Sequence, residues 1–101
     1  MDRRTRRARA RAQRSLVRDQ ERLARLQLGG VPARPIPVAS PAEVDVIATA
    51  MPCPLCAGTL RMTEHAAEIV GGVRLRVARL VCTACRAPRA VWFRLAVAAV
   101  H

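Results

Sequence analysis

Four cysteines in two matched pairs are the residues of this chain best equipped for chemistry: Cys53-Pro54-Leu55-Cys56 and Cys82-Thr83-Ala84-Cys85. A two-residue spacer lets one tight turn present two thiolates to one ion, and two such turns complete a tetrahedral shell. The 25 residues between the pairs, Ala57 to Val81, suffice for one β-hairpin that brings them together. Other uses of the cysteines fit less well. Disulfides need an oxidising compartment, and no apolar run follows the N-terminal arginines as an export signal would require. A redox dithiol needs one pair, not two. Covalent haem needs His after the second Cys, where Ala57 and Arg86 stand. A zinc deaminase needs an upstream His-x-Glu, and no His precedes His65. One structural Zn²⁺ on Cys53, Cys56, Cys82 and Cys85 is therefore expected, with iron as the lesser alternative because it takes the same ligands. A four-thiolate shell leaves no open position for water or substrate. His65 reads as an exposed strand residue and His101 as a chain terminus. With no Ser/His/acid set and no phosphate-binding glycine loop, neither an enzyme nor a small-molecule substrate is expected.

Such turns must be carried by a sheet. The chain has 101 residues and 11.0 kDa, enough for one small domain and an appendage. Three regions are expected: a basic helical arm over 1–28, a Pro-rich linker over 29–43 and the metal-bearing domain over 44–101. Asp2–Leu28 lacks Gly and Pro and ends at Gly29-Gly30, a helix stop. Ala12, Leu16, Leu23 and Leu26 fall near one of its faces. Pro32, Pro35, Pro37 and Pro41 make the next stretch extended, with no core residues to fold on. Val44, Val46 and Ile47 read as a short strand leading into the first cysteine pair. Thr59–Val70 and Val73–Val81 flank Gly71-Gly72, a hairpin signal, and Ala90–Val100 forms a further strand. Val91, Phe93, Leu95 and Val97 share one face of that strand, with Trp92 and Arg94 on the other. In the hairpin, Leu60, Met62, Val73, Leu75 and Val77 point inward, and Arg61, Arg74 and Arg76 outward. A parity change calls for a bulge near Glu64–Ala66.

Residues 51–95 resemble the zinc ribbons of the rubredoxin-like family, which carry two cysteine knuckles on a three-stranded antiparallel sheet. Cys53-Pro54-Leu55-Cys56-Ala57-Gly58 is similar to the first knuckle, with Pro after the first Cys, and Cys82-Thr83-Ala84-Cys85-Arg86-Ala87 is a looser version of the second. The family often places Gly directly after each pair, where the backbone turns left-handed. Ala57 and Arg86 stand there instead, and Gly58 comes one step later. The resemblance covers under half the chain and implies a scaffold that hosts many unrelated functions. The expected fold is thus a small metal-stapled β domain: a three-stranded antiparallel zinc ribbon preceded by a basic α-helix and a Pro-rich linker. A domain this small cannot rely on its core, so the metal is expected to supply about 10 kcal/mol or more of folding energy.

Charge indicates the partners. All 18 basic residues are arginine against seven acids, giving +11, and ten of the arginines lie in Asp2–Leu28. Using arginine alone is what a GC-rich genome would produce; the excess over acids is the signal. Such a field attracts nucleic acid or an acidic protein surface. No apolar run approaches the ~20 residues of a membrane span, and a cytoplasmic setting is expected. By strand alternation Arg61, Arg74, Arg76, Trp92 and Arg94 share the outer sheet face, with Arg86 and Arg89 extending the patch beside the second cysteine pair. A sheet of this kind can hold phosphates and stack a base. Arg3, Arg4, Arg6 and Arg7 on the arm would add phosphate contacts. Nucleic-acid binding is the first expectation and a protein-docking adaptor the second. The bland alternatives are a solvated tail and an ordinary polar sheet face.

Overall fold

A computed structural model describes residues 2–96, so Val97, His101 and the outer end of the expected last strand lie outside the described residues. The chain runs α1 (Arg3–Leu26), β1 (Ile36–Val38), α2 (Pro41–Ala50), β2 (Leu60–Val70), β3 (Val73–Cys82) and β4 (Pro88–Leu95). The strands form one mixed sheet in the order β1-β4-β3-β2, with β1 parallel to β4 and the other pairs antiparallel.

The expected arm is a helix. The Asp2 side chain accepts from the Thr5 N–H at 2.8 Å, a cap that holds its carboxyl below the usual carboxylate range. At the other end Arg34 Nη1 donates to the Leu26 carbonyl. Only Ala24 of the 24 helical residues is buried.

Two expectations give way between residues 29 and 50. The Pro-rich stretch is not a bare spacer, because Ile36–Val38 forms a strand and Val38 is buried among the core residues. Proline biases the residue before it toward extended backbone, and an edge strand tolerates the N–H that Pro37 lacks. The sheet therefore has four strands, one of them parallel, rather than three antiparallel ones. Val44–Ile47 is helical, not extended. Pro41 stands at the first helical turn, and Glu43 Oε2 accepts from the N–H groups of Ser40 (3.0 Å) and Ala39. This start signal outweighs the local preference of Val44 and Val46 for strand.

The β2–β3 hairpin turns at Gly71-Gly72, where φ is 57° and 79°, as that residue pair predicts. The register shift falls between Met62 and Glu64, at the near edge of the expected bulge. α2 lies on the sheet face that carries Leu60, Met62, Ala78, Leu80, Val91 and Phe93, and Val44 and Ala48 complete that core.

Candidate metal centre and arginine surfaces

Each cysteine pair is built as the same short loop. The N–H of Ala57 donates to the Cys53 carbonyl at 2.8 Å, and the N–H of Cys53 to the Gly58 carbonyl at 2.9 Å. In the second loop Arg86 donates to Cys82 and Cys82 to Ala87, both at 3.0 Å. The left-handed residues closing these loops are Ala57 (φ 63°) and Arg86 (φ 66°). Both loops thus adopt a conformation that glycine would hold with less strain. Gly58 answers a different demand. A Cβ there would lie 3.0 Å from Cys82 Sγ and 3.1 Å from Cys56 Sγ, so its missing side chain is what lets the first loop close over the sulfurs. Thr83 joins the loops by donating to the Thr59 carbonyl from its N–H (2.9 Å) and its Oγ1 (3.1 Å).

The four Sγ atoms all lie within 4.8 Å of one another, with Cys53–Cys85 at 3.7 Å and Cys56–Cys82 at 3.4 Å. A tetrahedron with metal–sulfur bonds of ~2.3 Å has edges of roughly 3.8 Å, so the cluster fits one soft metal ion. Cys53 and Cys82 are buried against the core, while Cys56 and Cys85 are exposed. Backbone N–H groups face the buried sulfurs: Leu55 donates to Cys53, and Ala84 and Cys85 donate to Cys82, each at 3.4 Å. Those on Cys82, Cys85 N–H foremost, hold its thiol down at about 6. The Ala87 N–H favours the Cys85 thiolate, yet lost hydration and the neighbouring sulfurs push that thiol up to about 12. The Cys82 thiolate therefore forms readily, and the charge of a bound cation would help to form that of Cys85.

A cleft of about 260 Å³ separates this centre from the end of α1, with Cys53, Arg25 and Arg89 among its walls. Arg89 is half-buried and its Nε has no hydrogen-bond partner. Burial lowers the pKa of its guanidinium from the ordinary value, opposed by the nearby charge of Cys53.

The expected sheet patch divides. Strand pairing places Arg61 and Trp92 on one face, across from Val81 and Val77, and alternation along β4 puts Arg94 on the same face. Arg74 and Arg76 are on the other face, because Arg76 stands directly across from Phe93. Leu75 and Val77 therefore lie on the face opposite Phe93 and not with it as expected, because both faces of the sheet carry apolar residues. The Trp92 face also holds acids. Glu64 and Glu68 flank Arg79 at 3.4 and 2.8 Å and raise its pKa, chiefly through the Glu68 hydrogen bond. Arg86 projects from the second cysteine loop and is exposed. His65 is not a plain exposed strand residue: it is half-buried, with Nδ1 2.9 Å from Asp45 Oδ1 of α2. Its position opposite Ala78 beneath α2 could be found only once α2 was recognised.

All ten arginines of α1, including Arg3, Arg4, Arg6 and Arg7, are exposed. Among the described residues none of them pairs with an acid; the three ion pairs all involve residues of α2 and the sheet. No described helix is long and apolar enough to cross a membrane. No protein-family model matches the chain, and neither the curated proteins nor the solved structures give a match.

Proposed function

We propose that this chain is a small binding protein of zinc-ribbon type that contacts nucleic acid chiefly through α1. In this reading its sheet is stapled by one structural Zn²⁺ on Cys53, Cys56, Cys82 and Cys85. The observation that carries the nucleic-acid reading is the set of ten exposed arginines on α1 with no acidic partner among the described residues. A polyanion supplies what that helix lacks, and phosphate contacts are gained with release of counterions. The four-thiolate set serves zinc and iron alike, and zinc is preferred because the aromatic-poor, basic surroundings suit a redox-inert structural ion. Four free thiols that must stay reduced suit the cytoplasm. The sheet has the smaller share, because Glu64 and Glu68 share a face with Arg61, Trp92 and Arg94. Catalysis is no part of the proposal.

A salt titration of binding by the full, metal-loaded chain tests this reading. Affinity for nucleic acid should fall linearly in log–log form as salt rises, with a slope of several units. A flat response, or no binding at low salt, overturns it. A second reading, docking to a protein, draws support from Leu16, Leu23 and Leu26, which are 50%, 61% and 61% exposed along α1. Binding to an acidic protein in preference to nucleic acid would favour it.

A further inference from the structure

The arginines of α1 are ordered as well as numerous. Arg4, Arg7, Arg11, Arg14, Arg18, Arg22 and Arg25 follow one another at spacings of three or four residues. At 3.6 residues per turn, that rhythm keeps all seven within about 80° of the helix circumference and spreads them along ~32 Å of its axis. Every member is exposed. Leu16, Leu23 and Leu26 lie on a different side, so the helix has a cationic edge distinct from its apolar one.

Residues three and four apart on a helix are neighbours, so the stripe sets like charges side by side along most of α1. An uncharged partner would leave that repulsion in place. A rigid row of anions would relieve it without bending the helix. We infer that this stripe docks lengthwise against the phosphate backbone of a nucleic-acid duplex, an inference that rests on the nucleic-acid reading above. Duplex DNA carries a charge every ~1.7 Å of axis and already holds its phosphates in place, whereas a single strand must be straightened to match a stiff helix. A helix of ~10–12 Å diameter also fits a major groove about 12 Å wide, with the stripe against one wall. Arg25 ends the row at the cleft beside Cys53, so the docked helix would set the metal-bearing sheet at one end of the contact.

The test uses the full metal-loaded chain and charge-matched variants, with fluorescence anisotropy on labelled 20-base-pair DNA and RNA duplexes and on single strands of the same length. Arg11→Gln with Arg14→Gln removes two stripe charges, and Arg6→Gln with Arg9→Gln removes two charges off it. A third variant keeps composition and charge but breaks the row, combining Arg7→Ala with Ala8→Arg and Arg11→Ala with Ala12→Arg. Circular dichroism checks that each remains helical, and glutamine is a good helix former. The expected result is duplex affinity at least ten-fold above single-strand affinity. The stripe pair and the permuted variant should each lose about ten-fold or more, and the off-stripe pair under three-fold. Equal losses from the two pairs, with the permuted variant unchanged, would mean that net charge alone binds. The stripe would then be overturned while the nucleic-acid reading stands. Single-strand affinity equal to or above duplex affinity overturns the duplex assignment. Binding to polyglutamate but to no nucleic acid sinks both. A helix lost in one variant leaves the other comparison to decide.

Discussion

Arg79 and the arginines of α1 are all charged groups at a surface, yet their surroundings are opposite. On the sheet, Glu64 and Glu68 bracket Arg79 at 3.4 and 2.8 Å. On α1, ten arginines share the helix with only Asp19 and Glu21, and among the described residues none makes an ion pair. Neighbouring like charges cost roughly 0.2–0.5 kcal/mol per pair, so seven in sequence cost on the order of 1–3 kcal/mol. Burial divides in the same way. α1 buries Ala24 alone, whereas Val44 of α2 and Val77, Val91 and Phe93 of the sheet are completely buried. A metal on the four cysteines would complete the sheet, and in the proposed function a polyanion completes α1.

The sharpest way to break this contrast is to remove the metal. Chelation should abolish cooperative melting of the sheet, a loss on the order of 10 kcal/mol. A calorimetric transition that survives in metal-free protein would show the sheet to be self-sufficient without its ion. Acid should act in the same direction. Cys82 is held at about 6, below its ordinary 9.0, so the stability from its thiolate is complete above about pH 9 and is lost as pH falls through about 6. A bound cation holds its thiolates deprotonated to lower pH still, so metal retention measured against pH should collapse only below about 6.

Salt tests the other half. With about seven phosphate contacts, raising salt from 50 to 200 mM should weaken duplex binding roughly 10⁴-fold while leaving the melting temperature of the metal-loaded sheet nearly unchanged. A parallel fall in both quantities would erase the distinction between the regions. Gly58→Ala places a Cβ against two ligand sulfurs and should reduce metal affinity by about ten-fold or more in chelator competition, with little change in nucleic-acid affinity. The smallest effect belongs to Ala57→Gly. Relieving a left-handed alanine at φ 63° should stabilise the loaded protein by up to about 1 kcal/mol, seen as a higher melting temperature; a lower one would show the strain to be absent.

Features carried by local spacing were legible in the sequence. The two Cys-x-x-Cys pairs, the Gly71-Gly72 turn and the glycine-ended helix each rest on residues close together in the chain. Features that depend on what lies across space were not. Val44 to Ile47 can alternate as a strand, but the Ser40-Pro41-Ala42-Glu43 start makes it helical, and this helix in turn converts His65 from a surface residue to a half-buried one. Ile36–Val38 reads as linker from its proline content, which says nothing about a β4 edge that would accept it. Arg74 and Arg76 lie on the face opposite Trp92, which alternation alone does not reveal, since it gives parity within a strand and not which face the neighbouring strand treats as inside. The 3–4 rhythm of arginines was present in the sequence throughout, and it gained meaning only with a continuous helix to carry it.

The parallel pairing of β1 with β4 has a kinetic consequence. Ile36 meets Phe93 across 57 positions of chain, whereas β2 and β3 are joined by two glycines. Closing the longer loop costs more chain entropy and rewards the chain only after β4 is in place. The hairpin with its cysteine loops is thus expected to assemble early, and β1 to lock on last. In stopped-flow refolding of loaded protein, Val38→Ala should hasten unfolding more than it slows folding.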